Sequence, residues 1–170
     1  MNIDIYVTPF LAHAKRAWED ILGLNFFPLG TLKTTGQGTT EDVTIITPIR
    51  GSLNGEVFYG FNTETAKSVA SLMLSREVDE LDEEAFSVLE KLASVISGNA
   101  VAMLSMGGYE CRTDPPQIVQ SKDSQDFPGA TTQIQASFNS GVGILHMKFS
   151  LVESQDNMRE LAELQHTYRR

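Results

Sequence analysis

The sequence has one cysteine, Cys111, among 170 residues. A single cysteine excludes an internal disulfide bond and a zinc site that needs several cysteines. The three histidines, His13, His146 and His166, lie far apart, and no two of them have the spacing of metal ligands. We therefore expect no bound metal and no cofactor.

Basic residues are also few, since 13 Lys and Arg stand against 22 Asp and Glu and the formal net charge is −9. Nucleic-acid binding normally needs a basic patch, and the basic pairs at 15–16 and 169–170 are too sparse to form one. No apolar run approaches the roughly 20 residues that cross a bilayer. The N-terminal segment lacks an export signal. We expect a cytoplasmic protein that binds a protein or a small molecule, and neither nucleic acid nor membrane.

The motifs of common enzymes are incomplete here. Residues 103–107, MLSMG, resemble a nucleophile elbow, but Met103 occupies the position of the first glycine. The GQG segment at 36–38 lacks the third glycine of a dinucleotide-binding loop. His146 alternates outward on a predicted strand, which indicates a surface residue, and Cys111 is predicted to be a buried structural thiol. None of these features indicates catalysis.

Helical and strand patterns alternate along the chain. Residues 8–22 begin with Thr-Pro and have the apolar spacing of a helix, with predicted core positions Phe10, Ala14, Ala17, Trp18 and Ile21. Residues 30–42 are rich in Gly and Thr and are predicted to be a loop or a ragged edge. Two β-branched and aromatic runs then flank Asn54-Gly55, a strong signal for a hairpin. A helix is predicted over 63–75, with Ala66, Val69, Ala70 and Met73 on one face.

The second half of the sequence begins with a longer helix, predicted over 82–104 and preceded by the acidic residues Asp79 to Glu84. The segment DPPQIV predicts a short strand, and residues 132–153 alternate as a second hairpin. A polar helical tail follows. Adjacent hairpins with helices between them predict an α+β fold, in which helices pack on one face of an antiparallel sheet. We expect one domain over 1–152 and a polar tail over 153–170.

The helix over 82–104 has two different faces. Leu89, Leu92, Ile96 and Met103 recur on one side and are predicted to be buried. Ser87, Lys91, Ser94 and Gly98 recur on the other, and the first three are predicted to be exposed. We call these four residues the polar stripe. A polar stripe is typical of any surface helix, and it is also what a docking surface would present.

The order of elements and several phrases resemble the CheX and CheC family of chemotaxis phosphatases. The resemblance covers the chain up to about residue 152 and includes VTPFLAHAKRAWEDILGL, GEVFYGFNTETAKSVASLML, AFSVLEKLASVISGNAVAML and DPPQIV. It implies the α+β fold, and it implies removal of the phosphoryl group from the aspartyl phosphate of the response regulator CheY. It also implies pairing of two copies through their sheets, so we expect a homodimer.

The family carries a signature of Asp or Ser, three residues, Glu, two residues and Asn. The matching positions are Ser87, Lys91 and Ser94, followed by Gly98, so the signature Glu and Asn are replaced. The resemblance implies that the asparagine orients a water and that the glutamate pairs with a lysine of the receiver. Lys91 and Ser94 are therefore only positional equivalents of catalytic residues. We expect the four residues of the polar stripe to contact the partner.

Three functions follow from this pattern. The first is a domain that binds a phosphorylated CheY-like receiver with weak or absent phosphatase activity. The second is a working CheY-phosphate phosphatase that tolerates Lys91 and Ser94. The third is a protein-interaction or dimerisation module without catalysis.

Overall fold

The computed structural model describes residues 4–35, 41–121 and 132–168. The elements follow one another along the chain as α1 (Asp4–Ala17), β1 (Phe27–Thr35), β2 (Val43–Gly51), β3 (Leu53–Phe61), α2 (Thr63–Leu74), α3 (Glu83–Met106), β4 (Cys111–Thr113), β5 (Gln117–Gln120), β6 (Thr132–Asn139), β7 (Ile144–Glu153) and α4 (Gln155–Tyr168). A π-helical turn, Trp18–Leu22, continues α1.

All seven strands belong to one antiparallel sheet. Its order is β1-β6-β7-β3-β2, and β4 and β5 both pair with the far side of β2. The two predicted hairpins are β2–β3 and β6–β7, and both lie in this sheet as expected. Of the loop or ragged edge expected over 30–42, the loop is wrong for residues 30–35, because they belong to β1, an edge strand that pairs with β6 and has a register shift between Pro28 and Gly30. Residues 36–40 of that segment lie outside the described residues. The hydrogen bonds between these strands are made by backbone groups. The Gly- and Thr-rich composition that suggested irregular structure therefore does not prevent them.

The helices α1, α2 and α3 contribute to one continuous apolar core on one face of the sheet, which confirms the predicted α+β fold. The opposite face, called the outer face below, holds only a small apolar cluster of Ile46, Phe58 and Val119 among the described residues. One-sided packing explains why alternate residues of the strands are apolar.

The first helix begins at Asp4, four residues before the predicted start, and contains Pro9 in its interior. Ile21 is 46% exposed, so its predicted place in the core is wrong, whereas Leu22 is buried. A π-helical turn holds more residues than an α-helical turn, so the face that meets the core shifts by about one residue. The other predicted core residues of this helix, including Trp18, are buried.

The first hairpin turns earlier than predicted. Ile49 pairs with Gly55, so the turn centres on Ser52, and Asn54 belongs to β3. The amide of Asn54 closes the turn, since its Nδ2 donates to the Gly51 carbonyl at 3.3 Å. Gly55 has φ of 144°, and a Cβ there would overlap the carbonyl oxygen of Ser150. Glycine is thus required by contact with β7 and not by the turn itself.

The long helix has the limits that its sequence predicts. The carboxylate of Asp82 accepts a hydrogen bond from the backbone N–H of Ala85 at 2.8 Å and caps the N-terminus. The helix ends at Gly107. By length and composition alone it could also cross a membrane, contrary to the sequence expectation, although 44% of the qualifying window is buried inside the fold. Core helices of globular proteins meet the same criterion.

The C-terminal segment forms α4, and each of its side chains that the structure describes is exposed. The predicted helical character is therefore found over 155–168. The division into a domain over 1–152 and a separate tail stays a prediction.

Candidate functional site

The polar stripe lies on the side of α3 that faces away from the core. Ser87 and Lys91 are exposed, whereas Ser94 and Gly98 are half-buried, so the prediction of a fully exposed Ser94 is wrong. Three residues turn a helix by 300°, which leaves Ser94 only 60° from the buried Ser97. The C-terminal half of the stripe is therefore less exposed than its N-terminal half.

The opposite side of α3 is buried along most of its length. Leu89, Leu92 and Ile96 are at most 2% exposed, as predicted. Met103 is 51% exposed, so the prediction that it is buried is wrong. Met103 lies eleven residues after Leu92 and on the same side of the helix. Ala100, Val101 and Leu104 remain buried next to it, so over the last turns the buried side of α3 lies further around the helix and leaves Met103 exposed.

A buried hydrogen bond fixes the rotation of α3 on the sheet. The hydroxyls of Ser97 and Tyr59, on β3, lie 2.6 Å apart, and both side chains are buried. Burial raises the pKa of the Tyr59 hydroxyl well above its usual range, and the bond to Ser97 offsets only part of that effect. Because this pair aligns α3 with β3, it also sets the direction in which the polar stripe points. Sequence periodicity missed it, although a serine within an apolar face was a usable signal.

The polar stripe presents one cation and two hydroxyls. Lys91 forms no ion pair with any residue that the structure describes. Glu90 is the nearest carboxylate in sequence, but it lies about 100° around the helix from Lys91. The stripe can therefore attract an anion and donate hydrogen bonds, but it offers no carboxylate or amide that could position a water.

A second polar cluster lies on the outer face of the sheet. His146 Nδ1 is 2.7 Å from Ser137 Oγ and 3.3 Å from Gln135 Nε2, and His146 Nε2 is 3.5 Å from a carboxylate oxygen of Glu41. The histidine does point outward as its alternation predicts, but its side chain is only 24% exposed, so it is not an ordinary surface residue. The described residues contain no group of three or more potential ligands that could hold a metal. The cluster joins β6 and β7 to the start of β2.

Cys111 lies on β4 and is half-buried, less than the sequence predicted. Burial raises the pKa of its thiol, which lowers the fraction of reactive thiolate at neutral pH. This favours the structural interpretation of the residue.

A groove of about 480 Å³ lies between α2 and the loop that follows it. Glu64, Glu77 and Asp79 line it together with Lys67, whose ammonium is 3.4 Å from a Glu64 oxygen. It does not include the polar stripe, and the sequence drew attention to only one of these residues, Asp79, as part of the acidic segment before α3.

Comparison with known proteins identifies the family. The sequence model of "Chemotaxis phosphatase CheX" matches residues 43–139, more than half of the chain. "CheY-P phosphatase CheX" from Thermotoga maritima is 34% identical over 82 residues, which are 48% of this chain and 52% of the relative. The match thus spans about half the length of that curated relative.

Solved structures share the fold. Chemotaxis protein CheX from Desulfovibrio desulfuricans is 20% identical with a TM-score of 0.78, over 87% of this chain and 99% of the other. The CheX chain crystallised with CheY, BeF3 and Mg²⁺ from Borrelia burgdorferi is 22% identical with a TM-score of 0.72, over 87% and 98%. From the family match, which includes all of α3 and the strands β2 to β6, we conclude that the chain belongs to the chemotaxis phosphatase CheX family.

Proposed function

We propose that this chain is a chemotaxis signalling domain that binds a phosphorylated CheY-like receiver through α3 and has weak or absent phosphatase activity. Family membership supports the pathway, and a structural neighbour was crystallised with CheY. The observation that carries the proposal is the placement of Lys91 and Ser94 on the outward side of α3. By the family resemblance, these are the positions of the signature Glu and Asn. The same proposal places the chain in the cytoplasm.

The chemistry explains the low activity. Hydrolysis of an aspartyl phosphate needs a water held in line with the bond that breaks, and positioning supplies most of the catalysis. Ser94 is shorter than asparagine and has one hydroxyl in place of a carbonyl and an amide. Because Ser94 is also half-buried, its hydroxyl reaches even less far from the helix. Lys91 brings positive charge against the receiver lysine that the signature glutamate attracts in the family, so this contact becomes repulsive.

The proposal is tested with a phosphorylated receiver protein in two assays. We expect the chain to retain the receiver in a pull-down when BeF3 and Mg²⁺ mimic phosphorylation. We expect decay of the phosphorylated receiver to be little faster with the chain than without it. Strong acceleration would favour the second function, a working phosphatase. Absence of binding to every receiver of the same genome would favour the interaction module.

We also propose a homodimer formed through the β1 edge. Among the described strands, β1 pairs only with β6, and Phe27, Leu29 and Leu32 on this edge strand are more than half exposed. A long apolar edge strand with free backbone N–H and C=O groups favours pairing with another strand. A second copy of β1 would supply both the backbone partners and the apolar contact.

A further inference from the structure

Thr44, on β2, has a buried hydroxyl whose surroundings are unusual. The residue is 1% exposed, and its Oγ1 has no hydrogen-bond partner among the described residues. The strand register places Thr44 on the outer face, because it pairs with Gly60 of β3, which in turn pairs with His146 of β7. A buried hydroxyl without a partner is destabilising, and native structures rarely keep one. Thr44 therefore needs a polar partner that the described side chains do not supply.

His146 directs a second polar group to the same part of the outer face. Its Nδ1 is 2.7 Å from Ser137 Oγ and 3.3 Å from Gln135 Nε2. An amide nitrogen can only donate, so Nδ1 accepts, and in the neutral ring the proton is on Nε2. This Nε2 is 3.5 Å from a Glu41 oxygen, which is longer than the roughly 2.7–3.2 Å of an N–H···O hydrogen bond. The Nε2–H group thus lies beside a carboxylate without a hydrogen bond of ordinary length.

The two groups line a small cavity on the outer face. Its volume is about 10 Å³. A single water needs about 10–15 Å³, so the cavity has room for one water and for nothing larger. A Cβ on Gly60 would overlap the Glu41 side chain, so glycine is required for that side chain to lie over β3. The described residues that line the cavity are Glu41, Thr44, Phe58, Gly60, His146 and Lys148.

The charges around the cavity favour a neutral molecule. The carboxylate of Glu41 disfavours an anion, and the ammonium of Lys148 disfavours a cation. A water can accept a hydrogen bond from His146 Nε2 and donate one to Glu41. Its second hydrogen is then available to the hydroxyl of Thr44. Three partners are the usual number for a buried water.

We propose that this cavity binds one structural water, which joins Thr44 to Glu41 and His146. The water completes a chain of hydrogen bonds across the outer face, from β2 through β7 to Ser137 on β6. The chain also holds the Glu41 side chain over β3. Because the outer face is opposite to the face that carries α3, this inference does not depend on binding of a receiver.

The test is the sign of the change in melting temperature when Thr44 is replaced by valine, which has nearly the same shape without the hydroxyl. If the water is bound, Thr44→Val removes one of its partners, and Tm should fall by about 2–4 °C. The matched control is Thr47→Val. Thr47 is also 1% exposed and also has no partner for its Oγ1 among the described residues, but it pairs with Val57 on the core side. Thr47→Val therefore removes only an unsatisfied hydroxyl, and Tm should stay the same or rise.

A high-resolution crystal structure provides the direct readout. We expect a density peak about 2.7–3.2 Å from Thr44 Oγ1, from Glu41 and from His146 Nε2. The peak should weaken or disappear in Thr44→Val. An unchanged or higher Tm for Thr44→Val would indicate a dry cavity and would overturn the proposal, as would a wild-type structure without the peak. A peak that gains anomalous scattering after a soak in rubidium chloride would identify a cation site and overturn it as well.

Discussion

At the scale of single residues, the proposed function depends on two side chains of α3. Lys91 is exposed and unpaired within the described part of the chain, and Ser94 is half-buried. Neither side chain forms a hydrogen bond or an ion pair with the described residues. The site therefore allows its missing groups to be restored without disturbing the core.

Lys91→Glu combined with Ser94→Asn should confer or increase dephosphorylation of a receiver. The glutamate replaces a repulsive contact with an attractive one, and the asparagine adds reach and an amide that orients water. One well-placed group of this kind is commonly worth about 10²-fold in rate or more. The decay of phosphorylated receiver is compared for both proteins, with Arg159→Glu on α4 as the charge control. A wild type that is already fast contradicts the idea that this helix has lost its chemistry.

The Tyr59–Ser97 pair predicts a stability difference between two serines of α3. Ser97→Ala leaves the buried Tyr59 hydroxyl without its partner, which should lower the free energy of unfolding by about 1–3 kcal/mol. Ser94→Ala removes a hydroxyl of the same size from the outward side and raises helix propensity, so it should be close to neutral. Urea denaturation of both variants checks this. Equal effects would show that the hydrogen bond does not fix the helix.

The same pair predicts a pH dependence. Burial raises the pKa of Tyr59 in the folded state, whereas the unfolded chain has the ordinary value of about 10. The contribution is complete below that value and is lost as pH rises, because only the unfolded state releases the proton. Tyr59→Phe should therefore lose less stability than the wild type between about pH 9 and pH 11. Tyr109→Phe, which keeps Tyr59, should behave like the wild type in the same denaturation series.

Periodicity in the sequence predicts correctly whether some residues are buried, but it fails for others. Leu89, Leu92 and Ile96 are buried as their spacing predicts. Met103 has the same spacing, but over the last turns the buried side of α3 shifts to Ala100, Val101 and Leu104, which no single helix pattern reveals. The half-buried His146 depends on Glu41, which is distant in sequence and approaches only when the sheet forms.

At the scale of elements, the sequence predicts the helices and strands that have strong apolar periodicity or a capping residue. The limits of α3 follow from Asp82 and from Gly107, and both hairpins follow from alternation. β1 was missed because its stability comes from pairing with β6, about a hundred residues later in the chain. The turn of the first hairpin was misplaced because Gly55 serves the contact with Ser150 and not the reversal of the chain.

The cap of α3 gives a prediction at this scale. Asp82→Ala removes the side-chain acceptor for the Ala85 N–H and should destabilise the protein by about 1 kcal/mol. Asp79→Ala is the control, because it removes the same charge from the preceding loop without removing the cap. Thermal denaturation at moderate salt should separate the two, since screening weakens general charge effects more than a hydrogen bond. Equal losses would assign the effect to charge alone.

At the scale of the whole molecule, the sheet has two free edges with different properties. The β4 and β5 edge consists of two short strands, whereas β1 runs over nine residues and carries exposed apolar side chains. Short edge strands discourage pairing and long apolar ones favour it. The assembly we propose therefore uses β1.

Light scattering at tens of micromolar (a range suited to typical self-association strengths) should give about twice the chain mass of 18.7 kDa. Leu32→Lys introduces a charge on the β1 edge and should shift the mass towards the monomer. Leu72→Lys on α2 is the matched control, since Leu72 is similarly exposed but lies away from the edge. A wild type that remains a monomer contradicts the dimer.

The only tryptophan of the chain, Trp18, follows α1 directly and is fully buried. Its ring stacks on Phe61 of β3, with centroids 6.2 Å apart, and its Nε1 donates to the carbonyl of Ser140 at 3.2 Å. The indole thus contacts the first helical segment, the centre of the sheet and the turn of the second hairpin at once. The protein consequently contains its own fluorophore at the point where three distant segments meet. A shift of its emission towards longer wavelength should report loss of the assembled core without any added label.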